Sequence, residues 1–360
     1  MEADAGPPVV DAAPRVTDGM SWEWPPEPEP EPAPEPAPEP EPEPEPPDRG
    51  PIPAPDPAPD PVVCPSPLGD APFAPDYAAA SPTFGSHCFG TDHQDIVGVK
   101  QVVFLGDDFL IGDERAPGAQ MRALIAPRLA ARFHITPPAA DWTEIDLIDG
   151  LPATRRSGDF IVCAGPGARA EELDGPLLTD CLDDIERRHA TLVIMQIGLG
   201  DLEAIATQID ETVDLDLLPS QLGPLLDRSM RSIRSAIGWL RDRDHLPRGA
   251  FVVLVNQIDL TDGTGDTRGC PDWPALDRPR QEIFRLLVGR FNTALMGIAV
   301  EEGVDVVLAQ EQFCGYGPLA EDPDPICDRD GAREVVGNCR SLMPDGEQRL
   351  AELVEAVILE

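Results

Sequence analysis

QVVFLGDDFLIGD, residues Gln101 to Asp113, is a run of β-formers that ends in a glycine and two acids. Val102 to Leu105 is uniformly apolar, as a strand buried on both faces of a parallel sheet requires. Gly106-Asp107-Asp108 breaks the run, and a helical segment follows. A strand that hands polar groups to a turn before a helix places them at the carboxyl edge of an α/β sheet, where sites in such folds are built. Asp107 and Asp108 are candidate site residues on that ground.

Outward from this stretch, strands and helices alternate. Gly118 to Phe133 carries Met121, Leu124, Ile125, Leu129 and Phe133 at helical spacing, which supplies the first crossover. Trp142 to Ile148 alternates weakly, while Asp159 to Ala164 makes a better strand and is followed by a helix from about Arg169 to Arg188. Thr191 to Ile197, TLVIMQI, is the clearest central strand, with an acidic loop after it. Leu222, Leu226, Met230, Ile233, Ile237 and Leu240 step by three and four, giving a helix from Gln221 to Arg241. A strand at Phe251 to Val255 and a helix from about Arg278 to Glu302, stopped by Gly303, come next. Val304 to Ala309 is the last strand and Glu347 to Leu359 the last helix. This alternation predicts an α/β fold, a three-layer α/β/α sandwich around a mostly parallel sheet of about five strands.

Ahead of that domain, residues 1 to 62 are of low complexity, and Glu and Pro nearly alternate from Pro25 to Pro47. Proline removes backbone donors and like charges repel, so the segment is expected to be an extended, disordered spacer with no core, leaving 63–360 as one domain. Trp22 and Trp24 are its only large aromatics, a candidate docking motif. From Cys64 to Lys100 the chain reads as loop, with Cys64 and Cys88 in it.

The net charge is −39, and 16 acidic against 2 basic residues among the first 60 supply −14 of it. Both parts repel phosphate backbones, which argues against nucleic acid as a partner. Eight cysteines, without metal-type spacing, point to disulfides in an oxidising compartment rather than zinc. Cys314 and Cys327 flank a Pro-rich loop with 12 residues between them, a closure worth roughly 3 kcal/mol in the chain-entropy model. No uncharged run approaches 18 residues, so no transmembrane helix is expected. The first residues, MEADAGPPVV, are acidic where a signal peptide is basic and then apolar.

Four blocks of this chain, in order, resemble those of the SGNH (GDSL-type) hydrolases. Gly106-Asp107-Asp108 is similar to the family's Gly-Asp-Ser, with Asp108 at the nucleophile position. The stretch from Cys163 to Leu173, CAGPGARAEEL, is similar to its Ser-Gly-x-Thr run and puts the oxyanion glycine at Gly167. Gly198-Leu199-Gly200-Asp201 is similar to its Gly-x-Asn-Asp, with Gly200 where the oxyanion Asn belongs. The late segment from Asn338 to Gly346, NCRSLMPDG, resembles Asp-x-x-His-Pro-Asn-x-x-Gly, with Asn338 and Ser341 at the acid and base positions. Phe313 to Gly317, through Cys327 to Cys339, resembles the Cys-bearing loop before the His block in exported myxobacterial members.

The resemblance implies an SGNH hydrolase, flavodoxin-like fold and, in the family, ester hydrolysis without a cofactor. An esterase of this kind needs a hydroxyl nucleophile and a base whose pKa is near the working pH. Here the nucleophile position is a carboxylate and the base position a hydroxyl. The five histidines are His87, His93, His134, His189 and His245, none near the last block. Losing one oxyanion donor alone typically costs about 10²–10³ in rate.

The leading expectation is thus a catalytically inactive relative, extracytoplasmic (secreted or at the cell surface), monomeric, with a binding or structural role toward a small ester or carbohydrate-like ligand. The quadruple change Asp108→Ser, Gly200→Asn, Asn338→Asp and Ser341→His is the expected route back to hydrolysis. Two alternatives stand beside it. One is an esterase or acetyl hydrolase of unusual mechanism in which Asp108 activates water. The other is a metal-dependent phosphoesterase on Asp107, Asp108 and Asp201, for which the plainer reading is solvated loop acids. Cys163 near Gly167 is a further thiol candidate without a base beside it.

Overall fold

The computed structural model describes residues 74–112, 116–144, 152, 154–175, 177–316 and 339–360. Its sheet runs β2-β3-β1-β4-β5-β6, built from β1 (Gln101–Gly106), β2 (Arg156–Ser157), β3 (Phe160–Ala164), β4 (Thr191–Gln196), β5 (Ala250–Val255) and β6 (Asp305–Val307). The pairs β3–β1, β1–β4, β4–β5 and β5–β6 are parallel, and the two-residue β2 lies antiparallel on the edge. Five parallel strands match the expected number, and β2 makes the sheet six-stranded. At the centre β1 and β4 pair from Gln101 with Thr191 to Gly106 with Gln196, and every residue of both is buried. Their unbroken apolar character follows from that position.

The helices are α1 (Asp108–Ile111), α2 (Met121–Phe133), α3 (Leu199–Glu211), α4 (Leu218–Arg241), α5 (Arg278–Glu302), α6 (Ala309–Phe313) and α7 (Pro344–Leu359). One group, α2 with α7, and another, α3 with α4 and α5, complete the three-layer α/β/α sandwich. Helix α5 is long and apolar enough to cross a membrane by length and composition, but Phe284, Leu287, Phe291, Leu295 and Ile298 on it are buried core residues.

Because the chain leaves β1 for β3 on one side and returns to β4 on the other, the strand order reverses at β1 and β4. Ligand crevices in open α/β sheets form outside the carboxyl ends of strands at such a point. Here that point is Gly106-Asp107-Asp108 facing Ile197 to Asp201.

Three local expectations are corrected. The helix from Arg169 to Arg188 is absent; short 3-10 turns at Ala170–Asp174 and Glu186–Arg188 stand in its place. Gly175 interrupts the first turn, and the Cys163–Cys181 disulfide draws the segment onto β3. The acidic loop after β4 is the helix α3, whose Leu202, Ile205, Ala206 and Ile209 are buried beneath an acidic outer face. Trp142 sits fully buried in a 3-10 turn, Ala140–Thr143, rather than in a strand; residues 145–150 lie outside the described residues.

Candidate functional site

Asp107 joins the two central strands at their carboxyl ends. Its Oδ1 accepts from the Phe109 amide at 3.2 Å, capping α1, and its Oδ2 accepts from the amides of Gly198 and Leu199 at 2.9 Å each. Glycine at 106 lets the strands close to this distance, since a β-carbon there would lie 1.7 Å from the Gln196 carbonyl oxygen. Asp107 is completely buried, and burial pushes its carboxyl up to about 8 against the pull of the three amides.

Asp108, the next residue, turns toward β3. Its Oδ2 accepts from the Gly167 amide at 2.6 Å, and Arg340 Nη1 stands 3.9 Å from the same oxygen. Burial raises this carboxyl as well, while the Gly167 amide, then Arg340, pull it back. The loop that carries Gly167 is held in place by Gly165, whose amide donates to the Gly106 carbonyl at 3.1 Å. Two neighbouring strand ends therefore meet through a carboxylate on one and a backbone donor on the other.

Gly200 lies in the first turn of α3, directly against that loop. A β-carbon on it would come within 2.5 Å of the Gly167 carbonyl oxygen and 2.6 Å of that of Ala168. No asparagine fits there without moving backbone, so Gly200→Asn cannot serve as a simple restoring change. Asp201 accepts from the Ala170 amide at 2.8 Å and from Ser229 Oγ at 2.5 Å, tying α3 to the same loop and to α4.

Asp107, Asp108 and Asp201 are thus buried carboxylates, each engaged by protein donors, and not the solvated loop acids of the plainer reading. Among the described residues no group of His, Cys, Asp and Glu is arranged to hold a metal ion, which leaves the phosphoesterase alternative without a site there. Cys163 is bonded to Cys181, so it is no thiol nucleophile.

The last block reaches the same edge. Ser341 is buried, and the residue before it, Arg340, donates from Nη2 to both oxygens of Glu203 at 2.8 and 2.9 Å. The Arg340 Nε is 3.5 Å from Asp272. Cys339 is bonded to Cys270, while Asn338 lies outside the described residues. Arg340 and this disulfide are the parts of the site that sequence reasoning missed; an arginine between the Cys and the Ser of NCRS carries no signal of its partners.

No histidine is at the site. His87 faces Glu360, His93 is hydrogen-bonded to Thr83 and Val304, His134 caps α2 and His245 stacks on Trp239. None of the interactions described for the five is with Asp108, Gly167, Gly200 or Ser341.

No family model matches the chain, and no curated protein sequence matches it. Solved structures similar to it include an extracellular lipase from Streptomyces rimosus, at 13% identity over 72% of this chain and 99% of that one, with a TM-score of 0.41. Phospholipase A1 from Streptomyces albidoflavus is similar at 14% identity, 72% and 99% coverage and a TM-score of 0.41. A lipase/acylhydrolase from Enterococcus faecalis is similar at 13% identity, 72% and 95% coverage and a TM-score of 0.37.

Proposed function

We propose that this chain is an SGNH-type hydrolase domain that has lost ester-hydrolase chemistry and serves a binding or structural role outside the cytoplasm. The observation that carries the reading is the hydrogen bond of 2.6 Å from the Gly167 amide to Asp108. An acyl-transfer site needs that donor free for the oxygen that becomes negative in the transition state. Here a carboxylate of the protein already fills it, and its charge opposes a second anion at the same spot. A carboxylate so engaged is also poorly placed to take a proton from water, which disfavours the alternative in which Asp108 activates water. The missing base supports the same reading, since the base position is the hydroxyl of Ser341 and the described interactions of the five histidines lie elsewhere.

Two disulfides, Cys163–Cys181 and Cys270–Cys339, support an oxidising compartment, as does the bonded state of Cys88 and Cys314. Cys327, the partner expected for Cys314, lies outside the described residues. The ligand class remains the small ester or carbohydrate-like molecule of the sequence reading, bound by a monomer.

Labelling with a fluorophosphonate probe tests the loss of a nucleophile. The purified protein should take up none, and stoichiometric labelling would end the proposal. Residues 1 to 62 are proposed as a spacer outside the domain. A chain that begins at Cys64 should melt at the same temperature as the full chain, and a drop of more than a few degrees would refute that.

A further inference from the structure

Arg340 spreads its guanidinium over three carboxylates that belong to three separate parts of the chain. Glu203 is on α3, Asp272 lies between β5 and α5, and Asp108 follows β1. The Glu203 pair is the closest, with one nitrogen shared between the two oxygens at 2.8 and 2.9 Å. The rigid, planar fork of arginine suits such multiple engagement, where a lysine ammonium acts as a single point. Its side chain is 27% exposed, so each pair alone is worth little in water. What gives the group its hold is the three pairs made at once by one fork, on a backbone that is itself fixed.

That backbone is anchored on both sides. Cys339 immediately before Arg340 is bonded to Cys270, with 5.3 Å between their Cα atoms, and Asp272 is two residues beyond Cys270. The Arg340–Asp272 pair is therefore a neighbour of the disulfide. After Arg340, Ser341 and Leu342 are buried and the chain enters α7. Cys339 itself has a positive φ of 60°, a conformation a non-glycine residue holds only where its surroundings impose it.

We propose that Cys339 to Leu342 is an autoinhibitory strap that shuts the Asp108–Gly167 edge, with Arg340 as the residue that fastens it and the Cys270–Cys339 disulfide as its fixed anchor. A ligand that reached the Gly167 amide would have to displace the Asp108 carboxylate and part Arg340 from it. Both sulfurs are buried, so external thiols reach the bond only after the strap has opened. The anchor is a permanent fastening and not a thiol switch. Arg340 acts through Asp108 and Glu203, as a positioning residue.

The inference rests on the reading of Asp108 and Gly167 as a former acyl site, and its test reads opening rather than turnover so that the two can fail separately. Amide hydrogen exchange is followed at Gly167 and across β4, in the full chain and in the variants Arg340→Met, Arg340→Lys and Cys270→Ala/Cys339→Ala. The Gly167 amide should exchange about tenfold faster or more in Arg340→Met and in the double variant, with β4 unchanged. Arg340→Lys should restore part of the protection. If the double variant also loses protection in β4, it is globally destabilised, and Arg340→Met, which keeps the disulfide, decides. Wild-type protection of Gly167 in Arg340→Met overturns the proposal. Ester turnover is measured on the same samples. Turnover gained by Arg340→Met would uphold the strap and overturn the proposed loss of chemistry.

Discussion

At the level of single residues, the charge state of Asp107 is the clearest consequence of burial. An aspartate in the unfolded chain titrates near 3.9, whereas burial holds this one at about 8. Below about pH 4 both states are protonated and the group costs nothing. As pH rises from about 4 to 8 the unfolded chain releases the proton and the folded chain keeps it, so stability falls with pH over that window. The melting temperature should therefore decline between pH 5 and pH 8. Asp107→Asn, which keeps an oxygen for the amides but has no proton to lose, should flatten that decline. An unchanged slope in Asp107→Asn would show that the group titrates normally. The aspartate itself was legible in the sequence, as half of an acidic pair ending a strand. Its role was not, because an acid that fastens two backbone amides at the start of α3 looks identical in sequence to one that awaits a ligand.

Among the elements, the loop after β3 and the start of α3 fit so closely that a single methyl decides the packing. The change Gly200→Ala places a carbon within 2.5 Å of the Gly167 carbonyl oxygen, and backbone cannot yield as a side-chain tip can. Overpacking of this kind typically costs about 1–3 kcal/mol, so the variant should melt several degrees lower. A melting temperature within a degree of wild type would mean that the loop is free to move. Strands β1, β3, β4 and β5 were readable because parallel strands buried on both faces leave unbroken apolar runs. Helix α3 was not: its buried Leu202, Ile205 and Ile209 are spaced as a helix, but Asp201, Glu203 and Asp210 among and beside them suggested a loop. The turns after Gly175 were misread for the opposite reason. Their apolar Leu177, Leu178 and Leu182 are buried by a disulfide-drawn coil rather than by a helix face.

For the whole molecule, the buried acids and the net charge of −39 act in one direction. Asp108, Asp201, Asp259, Asp305 and Glu311 are, like Asp107, raised by burial, and lowering the pH also relieves surface repulsion. Such a protein is built to tolerate mildly acidic surroundings better than alkaline ones. The same whole-molecule view explains where the four blocks meet. The reversal of strand order brings the first, second and third blocks together, although they are far apart in the chain, and Arg340 brings in the fourth. Alternating elements made that convergence foreseeable; the engagement of Asp108 by the Gly167 amide and Arg340 was not, since it depends on distances between loops. Hydrolysis of fluorogenic acetyl and butyryl esters by the full chain, beside Asp108→Asn, decides whether this sheet edge retains ester chemistry. Release no faster than in buffer is expected for both proteins. Saturable turnover by the wild type that disappears in Asp108→Asn would contradict it and make Asp108 a working catalytic group.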